Sequence, residues 1–326
     1  MANQQELTIR KYWTLIGINS TAHAIRAARE VGLFQQLLSG QKTFGELVDA
    51  CDIQPNLTTR ILDVLVASGL IEQYAEHYAA SQTLGLLAQY DSDLGDYYLD
   101  SMVGQLRCDL PAGNGDAYRR HQVARGWTRT PLAMQAAAVL EIGQKRRDLR
   151  ILEIGCGSGV WTSTLAFRDP GTTIVAIDHA DALGEAKTMI ESIDLQNRWK
   201  GIEGDPTSGE LPEGPFDLVV IPELLQTIDD ALAVTILGRA ADVTRPDGEV
   251  AVIDFFDPID AKKRSLATAV QNLELGLRTP LGRLRTAPEA SQLMVGAGLT
   301  SALYAPLTNA PQNAGLLMGT RPETLN

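Results

Sequence analysis

The chain has 326 residues, of which 44% are hydrophobic and 21% charged, and a formal net charge of −12 at pH 7. No apolar run approaches the roughly 18 residues of a membrane span, and the acidic balance disfavours a phosphate-backbone partner, so we expect neither a membrane nor a nucleic-acid partner. The first residues lack signal-peptide order, and the three scattered cysteines form neither a disulfide framework nor a zinc motif. We therefore expect a cytoplasmic protein without a metal.

The N-terminal part predicts helices followed by a short hairpin. Residues 12–38 carry apolar residues at helical spacing, and Thr43, with a glutamate three residues on, can cap a further helix. Pro55 or Asn56 begins the next helix, which a stop at Gly69 ends. The following LIEQYAEHYAAS alternates like two strands. Together these elements outline a winged-helix domain.

From Leu149 onward the pattern changes to buried strands that alternate with helices. The runs LRILEIG, TTIVAID, FDLVVIP and GEVAVIDFF are apolar on both faces, which is typical of parallel strands between helix layers. We therefore predict an α/β fold with a doubly wound, Rossmann-like domain over 146–326. A winged-helix domain over 1–100 and a helical linker over 101–145 precede it.

The sharpest motif is ILEIGCGSGVW, in which a strand ends at an acidic residue and glycines follow before a helix. Glu153 precedes Gly155, Gly157 and Gly159, and these glycines let the backbone approach a ligand closely. A dinucleotide loop places its third glycine one residue later, where Val160 stands. The carboxylate of Glu153 would repel a diphosphate but suits an ammonium group. The spacing and the charge thus favour S-adenosylmethionine (SAM) over NAD.

Further candidate cofactor contacts stand after the next strands. Asp178 ends TTIVAID, where a carboxylate can accept hydrogen bonds from ribose hydroxyls, although it can also be a plain loop cap. Gly204 and Asp205 are predicted to end the third strand, where a carboxylate can meet an adenine amino group. We also expect Pro206 and Pro222, beside these strand ends, to contact the cofactor.

The chain resembles the SAM-dependent small-molecule O-methyltransferases of bacteria and plants that carry an N-terminal winged-helix dimerisation domain. The resemblance runs from about residue 12 to about 320 and rests on AIRAAREVGLFQQL, TRILDVLVASGLIE, LEIGCGSGV, IEGDP and RLRTAPEASQLMVGAGL. It implies a homodimer held by the N-terminal helices and SAM bound by the residues above. His179, after the ribose acid, can pack on the adenine or be a solvated loop residue.

The catalytic segments depart from the family pattern. The family's general base, a histidine after the fourth strand, aligns with Gln226, and its C-terminal glutamate aligns with Leu284; an acid at the end of the fifth strand is kept as Asp254. Glutamine cannot accept a proton at neutral pH. Gln226 can still orient a substrate, or it can be an ordinary polar residue at a helix start.

Other candidates for the substrate side are few. His121 lies in the linker and could serve as a base if that segment forms the roof of the substrate cavity; a solvent-facing histidine is the alternative. Glu223 and Asp254 end strands on the cofactor side. Trp127, Trp161 and Met134 could line an apolar pocket or pack in the core.

The sequence therefore predicts a SAM-dependent methyltransferase acting on a small molecule, without the usual base. One alternative is a SAM-binding enzyme of the same fold that hydroxylates, decarboxylates or cyclises instead. A winged-helix transcription regulator is a second alternative, although residues 1–90 carry 6 basic and 8 acidic residues and so have the wrong charge for DNA. A NAD-dependent oxidoreductase is a third.

Overall fold

A computed structural model describes residues 4–300, 302–308 and 310–323, apart from the side chain of Ala117. The chain forms two compact units, Met1–Leu94 and Gly95–Asn326. Residues 101–145, expected to be a separate linker, fall within the second unit. None of the helices in the described ranges combines the length and the apolarity that a membrane span requires.

From residue 4 onward, the first unit contains five helices and a three-stranded sheet with the strand order β1-β3-β2. Its elements are α1 (Gln4–Glu30), α2 (Leu33–Leu38), β1 (Lys42–Thr43), α3 (Phe44–Cys51), α4 (Pro55–Ala67), β2 (Ile71–Tyr74), β3 (His77–Ala80) and α5 (Gln82–Tyr90). The predicted capping box is confirmed, because the Thr43 side chain accepts from the backbone of Glu46 and the Glu46 side chain accepts from the backbone of Thr43. The predicted hairpin is also confirmed as β2 and β3.

The helical character predicted over residues 12–38 is confirmed, and it is divided between two helices, α1 and α2. The helical segment begins eight residues earlier, at Gln4, and is interrupted before Leu33. The interruption has a local cause, because Gly32 adopts a left-handed conformation with φ of 83°, which glycine takes without steric strain. Helix α2 then packs its apolar face into the core of the unit.

The second unit holds a seven-stranded sheet with the order β6-β5-β4-β7-β8-β10-β9. Its helices and strands are α6 (Asp96–Asp100), α7 (Met102–Leu106), α8 (Asp116–Ala124), α9 (Thr130–Val139), β4 (Arg150–Ile154), α10 (Val160–Arg168), β5 (Thr173–Asp178), α11 (Ala180–Ser192), β6 (Trp199–Glu203), β7 (Phe216–Pro222), α12 (Asp230–Val243), β8 (Thr244–Phe255), α13 (Leu266–Arg278), α14 (Ala287–Gly296), β9 (Leu303–Leu307) and β10 (Ala314–Thr320). Strands β4 to β8 pair in parallel, and β10 pairs antiparallel with both β8 and β9.

The predicted doubly wound α/β domain is confirmed by burial on both faces of this sheet. On β4, Ile151 joins a cluster with α9 and α10, whereas the adjacent Leu152 joins another with α12 and α14. The chain leaves β4 for β5 on one side and returns to β7 on the other. Open α/β sheets bind ligands at the carboxyl ends of the strands at such a reversal.

Candidate active site

The glycine loop occupies this reversal, between β4 and α10. Gly155, Gly157 and Gly159 all have left-handed backbone conformations, with φ of 78°, 52° and 72°. A Cβ on Gly159 would lie 3.1 Å from the Cβ of Ala186, so this glycine lets α10 approach α11. A Cβ on Gly157 would meet no protein atom within 4 Å. The middle glycine therefore borders open space, as a ligand cradle requires.

Glu153 lies beneath this loop and is fully buried. Its Oε2 accepts a short hydrogen bond from the hydroxyl of Thr162 on α10, whereas Oε1 has no hydrogen-bond partner within the described residues. Burial raises the pKa of Glu153 to about 8, against the effect of the Thr162 hydrogen bonds. The carboxyl group thus holds a proton at neutral pH.

Asp178 joins the glycine loop to the end of β5. One carboxylate oxygen accepts from the backbone N–H of Gly157 at 2.9 Å, and the other accepts from that of His179 at 2.8 Å. The backbone of Gly204 donates to the Asp178 carbonyl at 3.0 Å, which places the turn after β6 beside that of β5. These polar groups therefore form one rim, next to the cradle at Gly157.

The turn after β6 differs slightly from prediction. The strand ends at Glu203, so Gly204 and Asp205 follow it. The Asp205 carboxylate accepts hydrogen bonds from Thr207 and Ser208, which fix the turn. Although burial opposes it, these bonds lower the pKa of Asp205, and its carboxylate stays ionised.

Gln226 is almost fully buried in the turn after β7. Its backbone N–H donates to Asp254 at 3.1 Å, and its side-chain amide donates weakly, at 3.4 Å, to the carbonyl of Glu223. The amide oxygen Oε1 has no partner within the described residues. Leu284, at the family's glutamate position, is buried in the apolar cluster that includes Ile151.

Asp254 lies near the carboxyl end of β8 and accepts from the backbone of both Gln226 and Phe255. Burial raises the pKa of Asp254 to about 8, and the neighbouring negative charge of Glu223 acts in the same direction. This carboxyl group is therefore mainly protonated at neutral pH and is not ready to accept a proton there.

The segment from α8 to α9 lies over the glycine loop and supplies residues that the sequence did not reveal. Arg129 forms a two-point ion pair with Glu223, at 2.9 and 3.1 Å, and Gln122 donates to the Glu223 carbonyl at 3.0 Å. Gly126 packs so closely on Ser158 of the loop that a Cβ there would lie 1.9 Å from the serine hydroxyl. These residues share one small cavity with the loop and with Trp161, Pro222 and Glu223.

His121 lies on α8, next to Gln122 in sequence, and is mostly buried. Its Nε2 lies 3.3 Å from Oε2 of Glu274 on α13. The alternative of a solvent-facing histidine is thus wrong. No spacing in the sequence could have revealed Glu274, which is 153 residues away.

The three residues proposed to line an apolar pocket differ in their burial. Trp161 is buried and lines the glycine-loop cavity, whereas Trp127 is 43% and Met134 39% exposed. A separate cavity of about 570 Å³ lies among the end of β8, α14 and β9, and it touches none of the glycine-loop residues. We therefore place the candidate site at the glycine loop.

Comparison with known proteins agrees with this geometry. The family model described as an O-methyltransferase domain matches residues 111–300. An uncharacterized methyltransferase of Mycobacterium bovis is 36% identical over 108 residues, which are 33% of this chain and 51% of that protein. The chain thus spans about half the length of the curated relatives it matches.

Two solved structures share the fold over nearly their whole length. Human N-acetylserotonin methyltransferase, solved with SAM, has a TM-score of 0.70 at 18% identity, covering 99% of this chain and 100% of that one. Mitomycin 7-O-methyltransferase has a TM-score of 0.71 at 19% identity, covering 97% and 98%. The family match covers more than half of the chain, including the glycine loop, Gln226 and Glu274. The protein is therefore a member of the O-methyltransferase domain family.

Proposed function

We propose that this chain binds SAM at the glycine loop and transfers its methyl group to a nucleophile of a small molecule. The observation that carries the proposal is the open space at Gly157, whose backbone N–H donates to Asp178 and whose loop follows the buried Glu153. The family match supports it, as does the SAM complex of the human N-acetylserotonin methyltransferase.

The residues present fit SAM better than a dinucleotide. The unpaired Oε1 of Glu153 offers an acceptor for an ammonium group, whereas the loop over 153–159 contains no basic residue that could neutralise a diphosphate. We assign the ribose to Asp178 and the adenine edge to Asp205 and His179. Gly155, Gly159, Gly204, Pro206 and Pro222 would shape the walls of the same site.

When bound, SAM supplies an electrophilic methyl group on a sulfonium. The protein's task is then to hold the acceptor in line with that methyl, which can provide much of the rate acceleration. Gln226 cannot take a proton, but its buried and unpaired Oε1 can accept a hydrogen bond from an acceptor hydroxyl. Asp254 fixes Gln226 through the backbone. The geometry favours a hydroxyl or another nucleophile, and the secondary-metabolite class is our proposal for the substrate.

One observation favours a second candidate function within the same fold. Both family positions for proton transfer carry residues that do not titrate, Gln226 and Leu284. A SAM-binding enzyme that hydroxylates, decarboxylates or cyclises its substrate would not need them. Such an enzyme would bind SAM and change its substrate without releasing S-adenosylhomocysteine.

We also propose a homodimer formed through the N-terminal helices. Helix α1 buries only Ala28 in its own unit. Apolar side chains point outward all around it and are 42–67% exposed: Leu7, Ile9, Tyr12, Trp13, Leu15, Ile16 and Ile18. Exposed apolar surface of this extent marks an interaction site. A second copy of the chain would cover it.

Titration calorimetry of the full chain tests cofactor binding. We expect heat from SAM and from S-adenosylhomocysteine and none from NAD. Gly157→Ala places a methyl group in the cradle and should weaken SAM binding by about tenfold or more, which is about 1.4 kcal/mol. Gly298→Ala, at another left-handed glycine (φ 85°) where a Cβ meets nothing within 4 Å, is the matched control. Binding of NAD but not of SAM or S-adenosylhomocysteine would overturn the proposal.

Turnover separates the two candidate functions. The chain is incubated with methyl-labelled SAM and a panel of phenols, naphthols, hydroxyquinones and aromatic amines. Transfer of label with release of S-adenosylhomocysteine supports methylation. Conversion of a panel member without such release supports the second function instead.

A further inference from the structure

A buried charged cluster joins α8 to α13, directly beside Gln122, which contacts Glu223. Glu274 is its centre: its Oε2 lies 3.3 Å from Nε2 of His121, 3.1 Å from Nη1 of Arg125 and 3.3 Å from Nη1 of Arg278. The side chains of His121 and Glu274 are only 11% and 10% exposed. Neither carries a role in the family pattern described above.

The charges of this cluster determine the protonation states of His121 and Glu274, the central pair of the cluster. Burial by itself would raise the pKa of Glu274, but the hydrogen bond with His121 and the positive charges of Arg125 and Arg278 lower it to about 2. Burial lowers the pKa of His121, and the same two arginines lower it further, against the opposing effect of Glu274. Helix α11, which also packs on α8, supplies none of the charges that act most strongly on the ring. At neutral pH the pair is thus a neutral imidazole beside an ionised carboxylate.

These states determine which ring nitrogen can work as a base. An ionised carboxylate only accepts hydrogen bonds, so His121 donates its Nε2–H to Glu274. The lone pair of the neutral ring then lies on Nδ1, which makes no hydrogen bond within the described residues. A carboxylate that orients an imidazole in this way also stabilises the imidazolium formed when the ring takes a proton.

A cavity lies beside Glu274, between helices that also approach the ends of β7 and β8. Tyr118, one turn before His121, is buried near Glu223 and Asp254, and its hydroxyl accepts from Gln271 of α13. Gln271 and Glu274 line a cavity of about 490 Å³. The same two helices therefore frame the carboxyl ends of β7 and β8 and a cavity large enough for a small aromatic molecule.

We propose that His121 and Glu274 form the proton-accepting pair of this enzyme and take over the task that Gln226 cannot perform. This proposal rests on the proposed methyl transfer. The acceptor hydroxyl gives its proton to Nδ1 of His121, its oxygen bonds to the methyl carbon, and the carbon–sulfur bond breaks with its electron pair remaining on sulfur. The imidazolium, held by Glu274, returns its proton to solvent. His121 is the catalytic residue and Glu274 a positioning residue.

Nuclear magnetic resonance of the histidine rings tests the pair without any turnover. The full chain, saturated with S-adenosylhomocysteine, is titrated with pH, and the His121→Asn variant assigns the signal; His23, His77 and His179 are internal references. We expect the Nε2–H tautomer in the neutral ring. We also expect Glu274→Gln to lower the His121 midpoint by about half a pH unit or more, since it removes the favourable negative charge. An Nδ1–H tautomer, or an unchanged midpoint in Glu274→Gln, would overturn the proposal.

Kinetics on whichever panel member is methylated give the second test. His121→Asn should lower kcat by about 10²- to 10⁴-fold, with a smaller effect on KM, and abolish the acidic limb of the kcat–pH profile. Glu274→Gln should lower kcat and move that limb to lower pH, and Glu274→Asp should restore part of the rate. Glu185→Gln, on the exposed face of α11, is the control and should leave both unchanged.

If the cluster around Glu274 were purely structural, the variants would lose stability and keep their activity. The melting temperature would fall in His121→Asn and Glu274→Gln, while kcat stayed within about twofold and the acidic limb kept its position. That result would refute the pair as a base. If the wild type methylates no panel member, the proposed function is in doubt, and the resonance experiment still decides whether the pair has the predicted tautomer and coupling.

Discussion

At the scale of single residues, two acids of the candidate site remain protonated at a pH at which they would be ionised in water. Glu153 and Asp254 are both buried, and burial raises the pKa of each to about 8. Their neutral forms avoid placing uncompensated negative charge in a low-dielectric interior. A cation bound next to Glu153 would reverse this preference, so we infer that cofactor binding is linked to proton release.

This protonation leads to a prediction about Glu153 and stability. The folded state keeps the Glu153 proton up to about pH 8, whereas the unfolded chain releases it near the ordinary value for glutamate. Between these values the free energy of unfolding should therefore fall with rising pH, by about 1.4 kcal/mol per unit for this group. Glu153→Gln, which never ionises, should lose this part of the slope. Urea unfolding of both proteins at pH 5.5, 6.5 and 7.5 measures it; parallel curves would contradict the assigned protonation.

The sequence revealed the types of these residues but not their states. Glu153, Asp178 and Asp254 were identified because each ends a strand, and strand ends of a parallel sheet share one edge. Whether Gln226 is a surface residue or a buried one with a free amide oxygen depends on what covers it. Only the folded chain supplies that answer.

At the scale of elements, the segment from α8 to α9 forms the cover of the glycine loop. It is held there by the ion pair of Arg129 with Glu223, by Gln122, and by the contact of Gly126 with Ser158. The segment also carries His121, the residue that we propose as the base. Sequence patterns assigned it helical character but gave no partner for it, because its contacts lie far away along the chain.

The close contact at Gly126 is the most sensitive point of this cover. Gly126→Ala would place its Cβ 1.9 Å from the Ser158 hydroxyl and 2.5 Å from its Cβ. The cover must then shift, and we expect SAM to bind about tenfold more weakly or worse, since overpacking costs about 1–3 kcal/mol. Calorimetry with SAM measures this. Adding Ser158→Gly should recover most of the affinity, and a double variant no better than Gly126→Ala would argue against this contact as the cause.

At the scale of the whole molecule, the two units differ in how much apolar surface they expose to solvent. The second unit encloses its sheet between helices on both faces. The first has its own core, yet α1 presents apolar side chains to solvent on all sides. Covering these side chains with a second copy of the chain would remove this apolar surface from water.

The assembly prediction follows from α1. We expect the 35.2 kDa chain to behave as a dimer in light scattering after size-exclusion chromatography. The double variant Trp13→Glu with Ile16→Glu should be monomeric at the same concentration, because it buries two charges in the interface. Gln4→Glu with Gln5→Glu adds the same charge at the start of α1 and should remain dimeric. A wild-type monomer, or a double variant that stays dimeric, would contradict the proposal.

The sequence by itself determined the strand–glycine–helix unit, the alternation of strands and helices, the hairpin and the resemblance to a family. Each of these depends on neighbours within a few residues, where backbone preference and hydrophobic period act. It could not determine which side chains meet across the chain. The pairing of His121 with Glu274, of Arg129 with Glu223 and of Gly126 with Ser158 was decided only by the tertiary structure, because packing and charge pairing depend on distance in space and leave no spacing in the sequence.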